Sequence, residues 1–542
     1  MWYCSISCQT TAWPIHKSTC VDRPHLIPVT LRTECCFALP AVLSSLVLSY
    51  ATPDELDQQL ACCVYEGVID NIHALLRTAA RLGRYDFLYF LRNHITVAEI
   101  RAHDNDVLRV AAENGHTEVL VELRLGWKLT AADARANDNY ALRMAAENGH
   151  TKVLVELRVG FKLNADDARV NDNYALGYAA ENGHTQVLVE LRLGFQLNDV
   201  DARAMDNYAL RMAAYNSHTQ VLVELRRGFQ LNADDARADN NYALRMAAGN
   251  GHTEVLVELR LGFQLNADDA RTDNNYALRM AAYNSHTEVL VELRLGFQLN
   301  ADDARAYNNY ALRWAAQNDH TEVLVELRLG FQLNAIDARA DNNYALGIAA
   351  QNGHTQVLVE LRRGFQLNVD DARADNNYAL RMAAMKDHTE VLVELRLGFQ
   401  LNADDARAMD NAALRWAANN GHPEVLVELR LGFQLNAADA RAMNNYALRM
   451  AADNGHTEVL VELRLGWGLT AADARALDNQ ALRWAAQNGH IQVLVELRVG
   501  FQLNAADARA NNNEALRYAA DNGHTAVLDE FRLGWDLDVN VH

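Results

Sequence analysis

Histidines stand 34 residues apart through most of the chain without a slip, at His116, His150, His184, His218, His252, His286, His320, His354, His388, His422, His456, His490 and His524. Imidazole is a metal ligand and a proton carrier near neutral pH, so such a series first suggests a row of metal sites. Geometry weighs against it. Stacked helices lie about 8–10 Å apart, while two imidazoles on one zinc must each reach to about 2 Å. A structural part is therefore expected for them. The Asp-Asp pairs, such as Asp166/Asp167, Asp268/Asp269 and Asp404/Asp405, suggest acid–base dyads. Catalytic carboxylates need surroundings that pull their pKa values apart. Pairs copied identically through several loops promise no such asymmetry, and helix capping with solvated charge is expected instead. All 7 cysteines lie early, at Cys4, Cys8, Cys20, Cys35, Cys36, Cys62 and Cys63. With His16 and His25 they show no recognised zinc or nucleophile spacing. The repeats hold no Gly-rich phosphate loop, Ser/His/Asp set or Cys/His pair. The expectation is no catalytic residue, no metal and no cofactor.

The elements that position these residues follow from the repeat. Around each histidine runs nearly the same text, and a fixed period of roughly 20–50 residues marks a stacked-repeat architecture. Such a solenoid grows by units that touch only their neighbours, so it needs no central core. Each unit reads as two helices and a connector. The first runs from about Tyr242 to Asn250 in one copy, with Asn241 as N-cap and Gly251 as the left-handed residue that ends it. Leu244, Ala247 and Ala248 form its narrow apolar face. The second begins at Thr253, buries Val255, Leu256 and Leu259, and is stopped by Gly262. Pro423 replaces the threonine in one copy, as a first helical turn tolerates. In the connector, Asn266 followed by Asp269 predicts an N-capped helical turn rather than a β-hairpin. The fold class is therefore all-α, a solenoid of stacked helix-turn-helix repeats with an irregular or helical head. The expected divisions are an irregular Cys/Pro-rich head at 1–36, a helical segment at 37–71, a degenerate capping copy at 72–106 and thirteen units at 107–542. In the last unit Glu514 and Asp529 replace Tyr and Val, which predicts a more polar outer surface.

The formal net charge of −20 argues against nucleic acid or an anionic membrane as the main partner, since both need a basic face. Unpatterned cysteines suit a reducing cytosol or nucleus. The one long apolar run, 37–51, contains Pro40 and is too short to span a bilayer.

Residues 243–256, Ala-Leu-Arg-Met-Ala-Ala-Gly-Asn-Gly-His-Thr-Glu-Val-Leu, resemble the ankyrin repeat, which reads Thr-Pro-Leu-His-x-Ala-Ala-x-x-Gly-His-x-x-Val-Val. The resemblance covers roughly four-fifths of the chain. It implies a two-helix stack that binds proteins, with Gly-His closing the inter-helix turn and bonding across to the next backbone. Three departures stand out: Tyr-Ala-Leu-Arg in place of Thr-Pro-Leu-His, a period of 34, and a longer connector. Residues 39–63 carry Leu39-Pro40, a stripe of Leu43, Leu46 and Val47, then Pro53 and Leu56 ahead of Cys62. This resembles the first half of an F-box, which implies docking to an adaptor of cullin ubiquitin ligases. A helical cap for the solenoid is the alternative.

Framework positions hardly change, whereas three positions vary from copy to copy. The residue after Ala-Ala includes Tyr215, Tyr283 and Met385. A position ahead of the first helix includes Met205, Tyr307 and Met409. The position before Ala-Ala includes Trp314. A constant frame with one variable face is the pattern of a reading surface, and aromatics and Met are typical interface anchors. Trp314 serves equally as core packing. Ser217, Ser285, Asp319 and Asp387 occupy the left-handed position that is Gly in other copies, so repeats around 205–390 are expected to open first. The function expected is a monomeric interaction scaffold holding a protein partner. The alternative is the substrate receptor of a cullin-type ligase, docked through 39–63.

Overall fold

The structure, a computed structural model, describes residues 72–537 except His94, and the regular elements among them are all helical. The head at 1–36 and the F-box-like stretch lie outside the described residues. The chain divides into two compact units, Met1–Ala204 and Met205–His542, and each is a stack of helical repeats. In the first, a degenerate copy opens with Ile72–Arg81, turns at Gly83 (φ +73) and continues through Tyr85–Phe90. Full copies follow from Ala102–Glu113 to Asp199–Ala202. The second unit repeats the same plan as far as Thr525–Leu533.

One copy shows how the text makes the fold. Its first helix is Ala238–Gly249, and Asp239, Asn240 and Asn241 inside it are left-handed (φ 52, 56 and 57). Asn and Asp tolerate that region because a short polar side chain bonds locally. A right-handed run of good helix formers starts only at Tyr242. This corrects the expected cap: Asn241 is the last residue of a left-handed turn, not an extended N-cap. Gly251 ends the helix at φ +81, as expected. Here only glycine fits twice over, because an added Cβ would also lie 2.8 Å from Nδ1 of His286.

The second helix begins at Thr253 and, after Val257, widens into a π-turn over Glu258–Gly262. In other copies, such as Thr287–Leu295, it stays α-helical. The helix ends at the Leu-Gly glycine, as expected, but without a left-handed turn at it. Gly296 is right-handed (φ −78, ψ −61), and the left-handed residue that follows is Gln298 (φ 62). The glycine is needed for space: a Cβ at Gly296 would sit 2.3 Å from Glu292 Oε1 and 2.6 Å from Arg260 Nε, a pair bonded at 2.6 Å. The connector forms the short helix Ala267–Ala270. Asn266 Oδ1 accepts from the Asp268 amide at 2.8 Å, and the Asp269 carboxylate accepts from the Asn266 amide at 2.9 Å. The predicted capping box is present.

Successive first helices pack on one another within a unit, as Ala238–Gly249 does on Thr272–Tyr283. Leu244, Ala247, Ala248, Val255, Leu256, Leu259, Phe263 and Leu265 are buried. Each large apolar side chain among them contributes roughly 1.5–3 kcal/mol by leaving water. In the last copy Asp529 is exposed and paired with Arg532, but Glu514 is buried. It accepts from Arg483, Asn511 and Tyr518, so it closes the stack from inside and does not add to the polar exterior.

Candidate interaction surface

The side chains that offered chemistry are consumed in ladders between copies. His252 Nε2–H donates to the Tyr215 carbonyl at 2.8 Å, and His286 to that of Gly249 at 3.1 Å. Each bond runs back to the preceding copy and fixes the Nε2–H tautomer. Burial pushes the pKa of His286 and His456 below the ordinary value. No group of His, Cys, Asp or Glu among the described residues is arranged to hold a metal ion.

The Asp-Asp pairs are less symmetric than their text suggests. The side chain of Asp268 is 91% exposed and that of Asp303, the inner acid of the next pair, only 8%. Inner acids of these pairs accept a two-pronged bond from an arginine 32 residues earlier, as in Arg271 Nε to Asp303 Oδ1 (2.7 Å) and Nη2 to Oδ2 (3.0 Å). For Asp371, burial raises the carboxyl pKa, but bonds from Arg339 and the Asn368 amide outweigh it and hold the group below its ordinary value. A second ladder joins the second helices, as in Arg328 Nε to Glu360 Oε1 at 2.6 Å. These pairs are partly buried and recur from copy to copy within each unit, so they fix the stacking register there.

The variable residues lie along the first helices. The left-handed opening turn takes a bulky residue in some copies: Met205 (φ 52), Tyr307 (φ 57) and Met409 (φ 52), at 56%, 63% and 54% exposure. Side chains of that size do not favour φ > 0, and here they gain no burial in return. Tyr215 is exposed at the far end of its helix. Tyr283, Trp314 and Met385 are half-buried. Three of the predicted residues meet in one aromatic cluster. Tyr283 and Trp314 have ring centroids 5.3 Å apart, Tyr310 lies 5.3 Å from Trp314, and Tyr307 stands edge-on to Tyr310 at 6.3 Å. Arg279 lies over Tyr307 and Tyr310 at 5.0 and 5.2 Å. Trp314 is thus a packing residue of the cluster, and Tyr307 is its exposed edge. Tyr215, Met205, Met385 and Met409 stand apart, on other copies.

Two features escaped the reading of the sequence. One is a row of exposed leucines, including Leu261, Leu295, Leu329, Leu397 and Leu431, at the end of the second helices. They look like core in the text because they continue a leucine-rich run. The other is Asn Oδ1 at the third left-handed position, buried without a partner in copy after copy, as at Asn241 and Asn343. Leu39, Pro40, Leu43, Leu46, Pro53 and Leu56 lie outside the described residues.

Residues 1–20 match the family model of the MYND finger. No curated protein matches the chain. The match revises the reading of the head, since it takes in Cys4, Cys8, His16 and Cys20. They stand there in the spacing Cys-x3-Cys followed by His-x3-Cys. His25 lies beyond the match.

Proposed function

We propose that the chain is a non-catalytic protein-interaction scaffold, a divergent ankyrin-like array that holds a protein partner on the first-helix face. The observation that carries this reading is the set of bulky residues Met205, Tyr307 and Met409, held both exposed and left-handed. A non-Gly residue in that region costs roughly 1–2 kcal/mol, and strain kept at an exposed apolar residue points to use rather than to stability. The side chains that could carry catalysis are spent in ladders, which supports the same reading. No helix among the described residues is long and apolar enough to cross a membrane. The test is recovery of protein partners by the full chain and by a Tyr215→Ser/Tyr307→Ser/Met409→Ser variant. These exposed substitutions should leave the unfolding temperature unchanged or slightly raised and should reduce binding at least tenfold. Equal binding by the folded variant would reject the face.

The MYND-finger match favours a further element of this reading, a zinc-binding head. Cys4, Cys8, His16 and Cys20 make the four N/S donors that zinc takes in a closed structural site, and zinc would supply folding energy there rather than chemistry. One zinc per chain, lost in Cys8→Ser, is the expected result; a metal-free full chain would remove it. The F-box-like residues Leu39, Pro40, Leu43, Leu46, Pro53 and Leu56 support a narrower alternative, a substrate receptor docked on a cullin-ligase adaptor. Adaptor recovered by the full chain and lost in Leu43→Asp/Leu46→Asp would favour it.

A further inference from the structure

In most copies an arginine of the first helix folds back over its own left-handed turn. Arg313 shows the full set of contacts. Its Nε donates to the Asn308 carbonyl at 2.9 Å, Nη2 to the Tyr307 carbonyl at 3.3 Å, and Nη1 to Asp341 Oδ2 of the next copy at 2.9 Å. Its guanidinium lies over the Tyr344 ring, 5.4 Å from the centroid. Arg211 repeats the arrangement with Asp206, Met205, Asp239 and Tyr242.

One copy of the second unit lacks the arginine. Gly347 stands in its place, and a cleft opens there, lined by Asp341, Asn342, Gly347, Asp375 and Tyr378 among others. These are the residues that, by the register of Arg313, would receive a guanidinium. The carbonyls of Asn342 and Asp341 correspond to those of Asn308 and Tyr307, the Asp375 carboxylate to that of Asp341, and the Tyr378 ring to that of Tyr344. Asp375 is exposed and its carboxylate makes no ion pair or hydrogen bond among the described residues. The Tyr378 ring is anchored by its hydroxyl, which donates to Gln351 Oε1 at 2.5 Å. The cleft therefore combines an anion, two carbonyls in a fixed fork and an aromatic face. A planar, five-donor guanidinium satisfies all of these at once and an ammonium does not.

We infer that the Gly347 cleft receives an arginine side chain of a partner polypeptide, which completes the contact set that the chain's own arginines make in neighbouring copies. The net charge of −20 favours a cationic segment approaching this face. The inference rests on the first-helix face being the docking surface, and it names the chemistry recognised there.

The test titrates the full chain with the blocked peptide acetyl-Ala-Arg-Ala-amide, followed by saturation-transfer NMR. Saturable binding is expected, weakened at least tenfold by Asp375→Asn and abolished by Gly347→Arg, which supplies the missing side chain internally. The Cβ of that arginine would meet Tyr378 Cδ1 at 3.0 Å, so a thermal-unfolding curve must accompany it, and Asp375→Asn leaves the packing untouched. The citrulline peptide, with the shape but not the charge, should not bind. Binding unchanged in both variants, or no saturable binding to the wild-type chain, would overturn the inference. Free L-arginine binding more tightly than the blocked peptide would overturn the assignment to a polypeptide. The small probe reads the cleft alone, whereas the Tyr215/Tyr307/Met409 variant reads the wider face, so the two readings fail separately.

Discussion

Among single residues, the left-handed ones decide most about this chain. Gly251 combines φ +81 with a histidine ring that stands 2.8 Å from where a Cβ would be, while Ser217, Ser285, Asp319 and Asp387 hold the equivalent position at φ 64–66. Removing the Cβ should therefore stabilise: Ser285→Gly and Asp387→Gly are each expected to add about 1 kcal/mol. Gly251→Ala should cost about 1–2 kcal/mol from the backbone alone, and more where His286 is displaced. Urea-unfolding midpoints would show the opposite signs, and a destabilising Ser285→Gly would mean that the serine hydroxyl contributes more than its strain. The left-handed turns at Asp239–Asn240–Asn241 and their counterparts were invisible to periodicity, because hydrophobic spacing says nothing about the sign of φ. The Asn/Asp enrichment that permits them was legible, but it was read as capping.

For the helices and the ladders that join them, stability of a repeat array is a sum of unit and interface terms. In the second unit the copies ending at Ser217, Ser285, Asp319 and Asp387 carry the extra backbone strain, whereas those ending at Gly421, Gly455 and Gly489 do not. Strained and unstrained copies alike carry Arg–Asp and Arg–Glu pairs, as in Arg271–Asp303, Arg294–Glu326, Arg441–Asp473 and Arg464–Glu496, so the ladders do not offset the difference. Hydrogen exchange is therefore expected to be faster in Thr219–Arg227, Thr287–Leu295, Thr321–Val325 and Thr389–Val393 than in Thr457–Leu465 and Ile491–Val495. Uniform protection across these helices would reject this ordering. The ladders were only half legible. The histidine's structural part followed from distance, but the 32-residue Arg–Asp and Arg–Glu pairings cross from one copy to the next, and a single unit's text does not show which partner each charge finds.

Across the whole chain, charge couples stability to pH. Arg475 beside Asp507 lowers its carboxyl pKa. In Asp133, Asp167, Asp371, Asp439 and Asp473, burial works the other way and is outweighed by bonds from arginine and the capping amide. A carboxylate with a folded pKa below its ordinary 3.8 stabilises the fold above that value and loses the contribution as pH falls through the folded pKa. His286 and His456, lowered from 6.5 by burial, give the same sign higher up, since protonation favours the unfolded chain. Stability should thus be flat above about pH 7, decline gently below 6.5 and fall steeply below about pH 4. Circular dichroism against pH showing maximal stability near pH 5 would contradict this. The sequence by itself determined the helical solenoid, the helix limits near Tyr242 and Thr253 and the capped connector, because a 34-residue period and local propensity act within one unit. Only the tertiary structure decided that Glu514 is buried, that Tyr283, Tyr307 and Trp314 share one cluster while Tyr215 and Met385 do not, and that Gly347 lines a cleft. Each of those depends on what the neighbouring copy places opposite a residue, and that is fixed by stacking, not by the text of a single unit.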